Sequence, residues 1–149
     1  MKTKAENEMT LRFPSRSSNE GFARTAVACF AAQMDPTLNE LEDIKTAVSE
    51  AVTNAIVHGY PDRIGDVLVK VRVLPGNVLE LTVRDQGRGI VDIEKAREPM
   101  FTTGGEERSG MGFTIMESFM DQLTVRSVTG RGTTVCMRKK LAPRLRRQS

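Results

Sequence analysis

The chain has 149 residues, with 22 lysines and arginines against 19 aspartates and glutamates, so its formal net charge is +3 and its pI about 9.1. This length fits one domain, and the 39% hydrophobic and 28% charged residues are typical of a soluble globule. Two cysteines without a CxxC pattern and a single histidine disfavour a zinc site or a disulfide scaffold and favour a reducing cytoplasm.

The basic residues are concentrated at the end of the chain. From Arg138 onward there are six basic residues and no acidic one, which leaves 16 basic and 19 acidic residues in the preceding 137. A high pI suggests nucleic-acid binding, but this body is mildly acidic. We therefore expect a domain over residues 1–140, a disordered basic tail over 141–149, and no direct contact with nucleic acid. The start lacks an apolar signal sequence, and the longest apolar run, 26–32, is far too short to span a membrane.

The first predicted elements are a strand and a helix. Apolar residues alternate with polar ones over 9–13, which favours a strand. Helical spacing follows over 19–33, with Ser18 or Asn19 as the expected N-cap. The residues expected to face inward are Phe22, Ala26 and Phe30. Cys29 lies beside them and is expected in the core or at an interface.

A second, longer helix is predicted from Asp35, which can cap it, and Pro36, which suits the first helical position, to about His58. Its apolar positions repeat every three or four residues and are Leu41, Ile44, Val48, Ala51 and Ala55. Gly59 ends the helix, and a loop with proline and glycine follows it.

Two strand pairs complete the predicted fold. Strands over 67–73 and 78–84 are joined by a Pro-Gly-Asn turn, and strands over 123–128 and 133–137 by a Gly-Arg-Gly turn. Between the pairs we expect a glycine-rich turn, a short helix, a mobile loop and a helix, over 85–90, 92–97, 98–112 and 113–120. This order predicts an α/β two-layer sandwich, with one mixed, mostly antiparallel sheet covered on one face by helices. Cys136 is expected to be a strand residue.

A polar stripe on the second helix is the first candidate site. Glu50, Asn54 and His58 are spaced four residues apart on an otherwise apolar, alanine-rich helix. A carboxylate can accept a proton, and an amide oxygen can ligate a hard cation. The alternative interpretation is a solvated polar face.

Two glycine-rich segments and one threonine add candidate ligand contacts. In DQGRGI, Asp85 follows a strand and could accept a hydrogen bond from an exocyclic amine, although the segment also suits a plain turn. RSGMG precedes a predicted helix, so its amides could bind an anion beside Arg108. The alternative is a glycine-rich connector. Thr133 could make one hydrogen bond.

Together these segments resemble the GHKL ATPase superfamily, whose members share the Bergerat ATP-binding fold. The resemblance rests on EAVTNAIVH, DQGRGI, GMG and GRGT in this order, and it spans about residues 9–140. The longer segments IKTAVSEAVTNAIVHGYP and RSGMGFTIMESFMD are similar to the anti-sigma serine kinases of spore-forming bacilli. The chain has no P-loop, and its glycine-rich turn is not a dinucleotide fingerprint.

The resemblance implies ATP and Mg²⁺ as cofactors. Glu50 would be the general base for an incoming serine hydroxyl, and Arg108 would face the γ-phosphate. Asn54 would ligate Mg²⁺, and Asp85 would accept from the adenine amino group, with Thr133 at the same ring edge. The remaining nucleotide-binding residues, several of them in an ATP lid over 100–112, would be Gly87, Gly89, Thr103, Ser109, Gly110, Met111 and Gly112.

The resemblance also implies partners. It predicts a homodimeric serine kinase that inhibits a sporulation sigma factor, sigma F, and phosphorylates its anti-anti-sigma factor. Sigma B is the alternative client. Glu20 and Arg24, on the outward side of the first helix, are candidate partner contacts. His58 is expected to be structural. A nucleotide-gated binding module without kinase activity is disfavoured by Glu50, and a DNA-repair or topoisomerase ATPase by the lack of a transducer domain after residue 140.

Overall fold

The computed structural model describes residues 4–90 and 107–143, with side chains over 4–90 and 112–143. Five strands and three helices make up this part of the chain. In chain order they are β1 (Asn7–Pro14), α1 (Ser18–Ala31), a 3₁₀ turn (Ala32–Met34), α2 (Leu38–Asn54), a π-helical turn (Ala55–Gly59), β2 (Asp66–Leu74), β3 (Val78–Asp85), α3 (Glu107–Phe119), β4 (Gln122–Val128) and β5 (Gly132–Lys140). The predicted helix over 92–97 and the residues after 143 lie outside the described part.

The strands form one sheet in the order β1-β2-β3-β5-β4. All four pairings are antiparallel, so within the described strands the sheet is purely antiparallel rather than mixed as predicted. Inward positions align across the sheet, and one such row is Met9, Val71, Leu81, Met137 and Leu123. The helices cover this apolar face, which confirms the predicted two-layer sandwich.

The opposite face of the sheet is polar. Glu80, only 6% exposed, lies between two arginines on neighbouring strands. Its carboxylate is 3.1 Å from Arg72 Nη1 and 2.8 Å from Arg138 Nη2. Cys136 is on the same face, where Thr82 Oγ1 donates to its Sγ at 3.7 Å. Such a face does not attract a second apolar layer, so it accounts for the one-sided helix cover.

The inward face of α1 is centred one residue away from the prediction, although Phe30 packs, partly buried, against the core as predicted. Ala23, Val27 and Ala31 are buried, while Phe22 is 57% exposed. Both sets repeat every four residues, and a shift of one residue rotates a helix by about 100°. The small set allows close packing against α2 and the sheet. Because of this rotation Cys29 is exposed, so it does not lie in the core, and its place at an interface stays a prediction.

The N-termini of α1 and α2 also begin differently from the prediction. The α1 N-cap is Ser17, without a side-chain capping bond. The N-cap of α2 is Thr37, because Asp35 is in the left-handed region at φ 53° and ends the 3₁₀ turn. Thr37 Oγ1 accepts from Glu40 N at 3.0 Å, and Glu40 Oε1 accepts from Thr37 N at 2.9 Å. This capping box satisfies two backbone donors that the helix leaves open.

Helix α3 begins at Glu107, so the prediction of a loop up to residue 112 and a helix from Phe113 is wrong at this boundary. Each glycine inside a helix costs about 1 kcal/mol relative to alanine. Here Gly112 offsets that cost, because it lets α3 pass directly over α2.

The ordered chain continues past Lys140. Leu141, which the sequence analysis assigned to the tail, is 1% exposed and packs in the core. Asn77 holds it in place, since its Nδ2 donates to Leu141 O at 2.8 Å and its O accepts from Leu141 N at 2.9 Å. Ala142 N then donates to Glu40 Oε2 at 2.8 Å. The chain is therefore anchored as far as Ala142.

Candidate functional site

Two residues of the polar stripe, Glu50 and Asn54, lie directly under α3, whereas His58 lies in the π-helical turn beyond α2. An ideal Cβ built at Gly112 would be 3.0 Å from Asn54 Nδ2, 3.3 Å from Asn54 Oδ1 and 3.4 Å from Glu50 Oε1. Only glycine leaves this space open. Asn54 Nδ2 is buried, and the described residues offer it no hydrogen-bond partner. A buried amide donor without a partner is unfavourable, and a bound polar ligand would relieve that cost.

Asp85 forms a second polar centre at the end of β3. It is 6% exposed, and its Oδ1 accepts from Gly87 N at 2.9 Å. Burial raises the pKa of this carboxyl, while hydrogen bonds from the backbone N–H groups of Gly87 and Thr133 partly lower it. A buried carboxylate with remaining acceptor capacity gains from a ligand donor such as an exocyclic amine.

Thr133 is the register partner of Asp85, as their predicted proximity requires. Its Oγ1 lies 2.9 Å from Ser127 Oγ, and Ser127 donates to Gly132 O at 3.0 Å. Since the one hydroxyl proton of Ser127 is used there, Thr133 must donate to Ser127 and keeps its lone pairs for another donor. Ser127 Oγ also accepts from Ile90 N at 2.7 Å. Ser127 was not among the predicted site residues, because by pattern it is an ordinary strand serine.

The end of α2 interlocks with the loop after Asp85. A Cβ at Gly87 would be 1.9 Å from Gly59 O, and a Cβ at Gly59 would be 2.8 Å from Asp85 Cγ. Arg88 N donates to Gly59 O at 2.9 Å, and Arg88 Nε to His58 O at 3.1 Å. The π-helical turn thus brings backbone against backbone at the Asp85 loop.

This contact fixes the length of the site. From Glu50 to Asn54 α2 rises about 6 Å, at roughly 1.5 Å per residue, and the π-helical turn then continues to Gly59. The proton acceptor and the amide therefore lie at one end of the site, and Asp85 lies against the other end. A single helix and its terminal turn set the distance between the two polar centres.

Gly89 needs its lack of a side chain for packing. Its φ is +78°, and a Cβ there would be 2.5 Å from Val128 O. Gly130 N donates to Arg88 O at 2.7 Å, which closes the loop against the β4–β5 turn. Gly87 and Gly89 thus serve contacts within the protein, and their predicted passage near a nucleotide stays a prediction.

Tyr60 is a further residue that the sequence analysis missed. Its hydroxyl donates to Asp66 O at 2.6 Å and accepts from Gln86 N at 2.6 Å. The ring is 5% exposed, with the Arg63 guanidinium 5.0 Å from its centroid. The available signal was its place as the single tyrosine, directly after the glycine that ends the second helix.

The remaining candidates are only partly described. Thr103 lies outside the described residues, and for Arg108, Ser109, Gly110 and Met111 only the helical backbone is described. Of the three predicted amide donors over 110–112, only Gly110 falls in the first turn of α3, where amides lack helical partners. The phosphate contacts of this segment stay predictions.

The two candidate partner contacts lie side by side on α1. Arg24 Nη1 is 3.4 Å from Glu20 Oε2, one helical turn apart, with the side chains 41% and 23% exposed. Within residues 4–90 and 107–143, no helix is both long and apolar enough to cross a membrane.

Comparisons with known proteins identify the family of the chain. The family model described as a histidine kinase-like ATPase domain matches residues 13–139. The anti-sigma F factor of Geobacillus kaustophilus (strain HTA426) is 59% identical over 138 residues, covering 91% of this chain and 94% of that protein. The anti-sigma F factor of Thermoanaerobacter sp. (strain X514) is 58% identical over 134 residues, covering 89% and 93%.

Solved structures share the fold. The RsbU and RsbW domains of Rv1364c from Mycobacterium tuberculosis align with a TM-score of 0.68 at 19% identity, over 91% of this chain and 32% of that one. The blue-light activated histidine kinase EL346 of Erythrobacter litoralis aligns with a TM-score of 0.57 at 26% identity, over 78% and 40%. From its sequence relatives and its fold, the chain belongs to the histidine kinase-like ATPase domain family and, within it, to the anti-sigma F factors.

Proposed function

We propose that this anti-sigma factor is an ATP- and Mg²⁺-dependent serine-protein kinase that acts in the cytoplasm, inhibits sigma F, and phosphorylates a serine of an anti-anti-sigma factor. The observation that carries the kinase proposal is the arrangement on α2. Glu50 and Asn54 lie one turn apart beneath Gly112, and the π-helical turn that continues α2 ends at Gly59, against the buried Asp85. The site therefore has a proton acceptor at one end and a base-recognising carboxylate at the other.

The residues present fit a magnesium nucleotide. Asp85 and Thr133 offer acceptors at one end, and Asn54 offers an amide oxygen and an unsatisfied donor at the other. The described residues contain no cluster of three or more acidic, cysteine or histidine side chains, so a protein cage for a metal is not available in them. Mg²⁺ is commonly held by one or two protein oxygens together with substrate phosphates, and Asn54 suits that role.

The chemistry assigned to the chain is positioning and proton acceptance. Bound Mg²⁺ would neutralise charge on the ATP phosphates. Glu50 accepts the proton of the serine hydroxyl. The serine oxygen then bonds to the γ-phosphorus, while the bond from that phosphorus to the bridging β–γ oxygen breaks. Phosphoryl transfer depends mainly on such positioning and charge stabilisation. Arg108, whose side chain is not described, is proposed to face the γ-phosphate.

One set of variants tests the kinase proposal. Glu50→Ala should bind ATP normally but transfer phosphate about 10²–10⁴ times more slowly, which is the usual contribution of a positioned base. Asn54→Ala should lose the Mg²⁺ dependence of ATP binding. Glu42→Ala is a matched control on α2, because Glu42 is 67% exposed and pairs only with Lys45 at 3.3 Å among the described contacts. It should behave as wild type, since surface ion pairs contribute little.

The measurement is transfer of labelled phosphate from ATP to a purified anti-anti-sigma protein, with phosphoserine identified by mass spectrometry. Wild-type transfer rates in Glu50→Ala would remove the base assignment. Absence of transfer by the wild-type chain, with ATP-dependent sigma binding retained, would instead support a nucleotide-gated binding module.

For the partners, we propose that α1 contacts both the sigma factor and the anti-anti-sigma factor, and that the chain works as a homodimer. Arg24 and Glu20 present a charged pair on the exposed side of α1, beside the exposed Phe22. Exposed aromatic and arginine side chains are typical anchors of protein interfaces. Co-purification with sigma F and with sigma B, each with and without ATP, distinguishes the two possible clients.

A further inference from the structure

We infer that Tyr60 is a positioning residue for nucleotide-base selection, because its buried hydroxyl holds in place the loop that carries Asp85. This inference rests on the proposed function, in which Asp85 accepts from the amino group of adenine. Tyr60 itself has no assigned contact with a nucleotide. Its effect passes through the peptide that follows Asp85.

The first step is the pair of hydrogen bonds made by the hydroxyl. Tyr60 Oη donates to Asp66 O and accepts from Gln86 N, both at 2.6 Å. Asp66 begins β2 and Asp85 ends β3, and these strands pair with Val67 opposite Asp85. The hydroxyl therefore joins the start of one strand to the first residue beyond the end of its neighbour.

The second step is the confinement of the ring. Tyr60 is 5% exposed, and a Cβ at Gly65 would be only 2.3 Å from Tyr60 Cε1. Arg63 covers the ring at 5.0 Å, and its Nη2 donates to Gln86 O at 3.3 Å. Both backbone polar groups of Gln86 are thus bound by the segment that follows α2.

The third step connects this anchor to the carboxylate. Gly87 N and Thr133 N hold the Asp85 carboxylate itself, whereas the Tyr60 hydroxyl bonds to Asp66 O and Gln86 N. The peptide bond between Asp85 and Gln86 follows the carboxylate-bearing residue directly. The Tyr60 hydroxyl accepts from the N–H of this peptide, which belongs to Gln86. Without the hydroxyl, a part-buried N–H loses its acceptor, and the loop must shift to find another.

Such a shift should change base selection more than it changes catalysis. Adenine presents a donor amino group where guanine presents a carbonyl acceptor. A fixed carboxylate attracts the first and repels the second, and sites that hydrogen-bond one specific group discriminate strongly against analogues that lack it. A misplacement of about 1 Å can cost about 10²-fold. Glu50 and Asn54 lie on the α2 helix before the π-helical turn and should keep their positions.

The test compares ATP and GTP as phosphoryl donors for the full chain. Tyr60→Phe should raise the KM for ATP and lower the ATP-to-GTP preference in kcat/KM by about tenfold, while kcat with ATP is retained. Thr37→Ala is the matched control, because it removes a cap at the far end of α2 and lowers stability without touching the Asp85 loop. It should lower Tm and leave the preference unchanged.

Two further variants separate the possible outcomes. Asp85→Ala should abolish the preference for ATP; if it does not, the adenine assignment fails and the inference fails with it. If Asp85→Ala abolishes the preference but Tyr60→Phe retains it, only the role of Tyr60 is refuted. Should Tyr60→Phe not fold, Arg63→Ala removes the bond to Gln86 O and should lower the preference about threefold, and an unchanged preference there refutes the positioning role.

Discussion

Replacing Gly87 with alanine should both destabilise the domain and abolish ATP binding. The new Cβ would be 1.9 Å from Gly59 O and 2.4 Å from Gly59 C. One of the two backbones must then retreat by about 1.5 Å to reach van der Waals separation. Overpacking costs about 1–3 kcal/mol, and a backbone contact cannot relax by changing a rotamer, so the upper part of this range applies.

The same shift breaks the hydrogen bond from Arg88 N to Gly59 O, which adds about 1 kcal/mol. We therefore expect a loss of about 3–4 kcal/mol in the free energy of unfolding, measured in urea, from overpacking and the lost bond together. Isothermal titration should show no saturable ATP binding, because Gly87 N also donates to Asp85 Oδ1.

Gly76→Ala provides the matched control for this prediction. Gly76 has a φ of +86° and nothing within 4 Å of its ideal Cβ, so the substitution introduces backbone strain without a clash. It should cost about 1–2 kcal/mol and leave ATP affinity unchanged, because it lies in the β2–β3 turn at the opposite end of the sheet. Equal stability losses in the two variants, or normal ATP affinity in Gly87→Ala, would refute the interlock.

Three further predictions address the pH dependence, the chain end and the partner surface. Because the pKa of Asp85 is raised on folding, its contribution to stability is present below the ordinary aspartate value of 3.8 and is lost as the pH rises through the folded-state value. Asp85→Asn should therefore be more stable than wild type at pH 7 but not at pH 3.5 in urea titrations, and lower stability at pH 7 would contradict this. A chain ending at Lys140 should lose about 1.5–3 kcal/mol with the burial of Leu141, whereas one ending at Pro143 should keep wild-type stability and kinase activity. Exchanging the charges of Glu20 and Arg24 together keeps their ion pair but should weaken partner binding in pull-downs while ATP affinity is retained; intact binding to both partners would exclude this surface.

The sequence predicts the strands and the second helix well because their patterns have one solution. Alternation over 67–73 can face the core in only one way, and the stripe from Leu41 to Ala55 has a single apolar side. The first helix is ambiguous, because its apolar residues come in adjacent pairs such as Phe22 and Ala23. Two helix faces one residue apart then fit the same period. The face with the smaller side chains is buried, because it lets the helix approach its neighbours more closely.

The candidate site divides in a similar way. Glu50 and Asn54 are one turn apart on a helix, so their proximity follows from local geometry. The proximity of Asp85 and Thr133 depends on the register between β3 and β5, and in the sequence only the order of the motifs indicates it. The contact of Gly59 with Gly87 and the bond of Tyr60 to Gln86 N join segments 26 or more residues apart through an irregular loop, and no period in the sequence encodes them.

The strand order has a consequence for the time at which the domain can form during synthesis. Of the described strands, β5 is the last to leave the ribosome, and it lies inside the sheet. Among these strands β4 pairs with β5 alone. The carboxylate of Glu40, which caps α2, also accepts a hydrogen bond from Ala142 N, 102 residues later in the chain. Because such distant contacts must close before they stabilise anything, the emerging chain has no finished half to fold early. We expect folding to be a single late event, with nascent chains that end before β5 remaining open to proteases and chaperones.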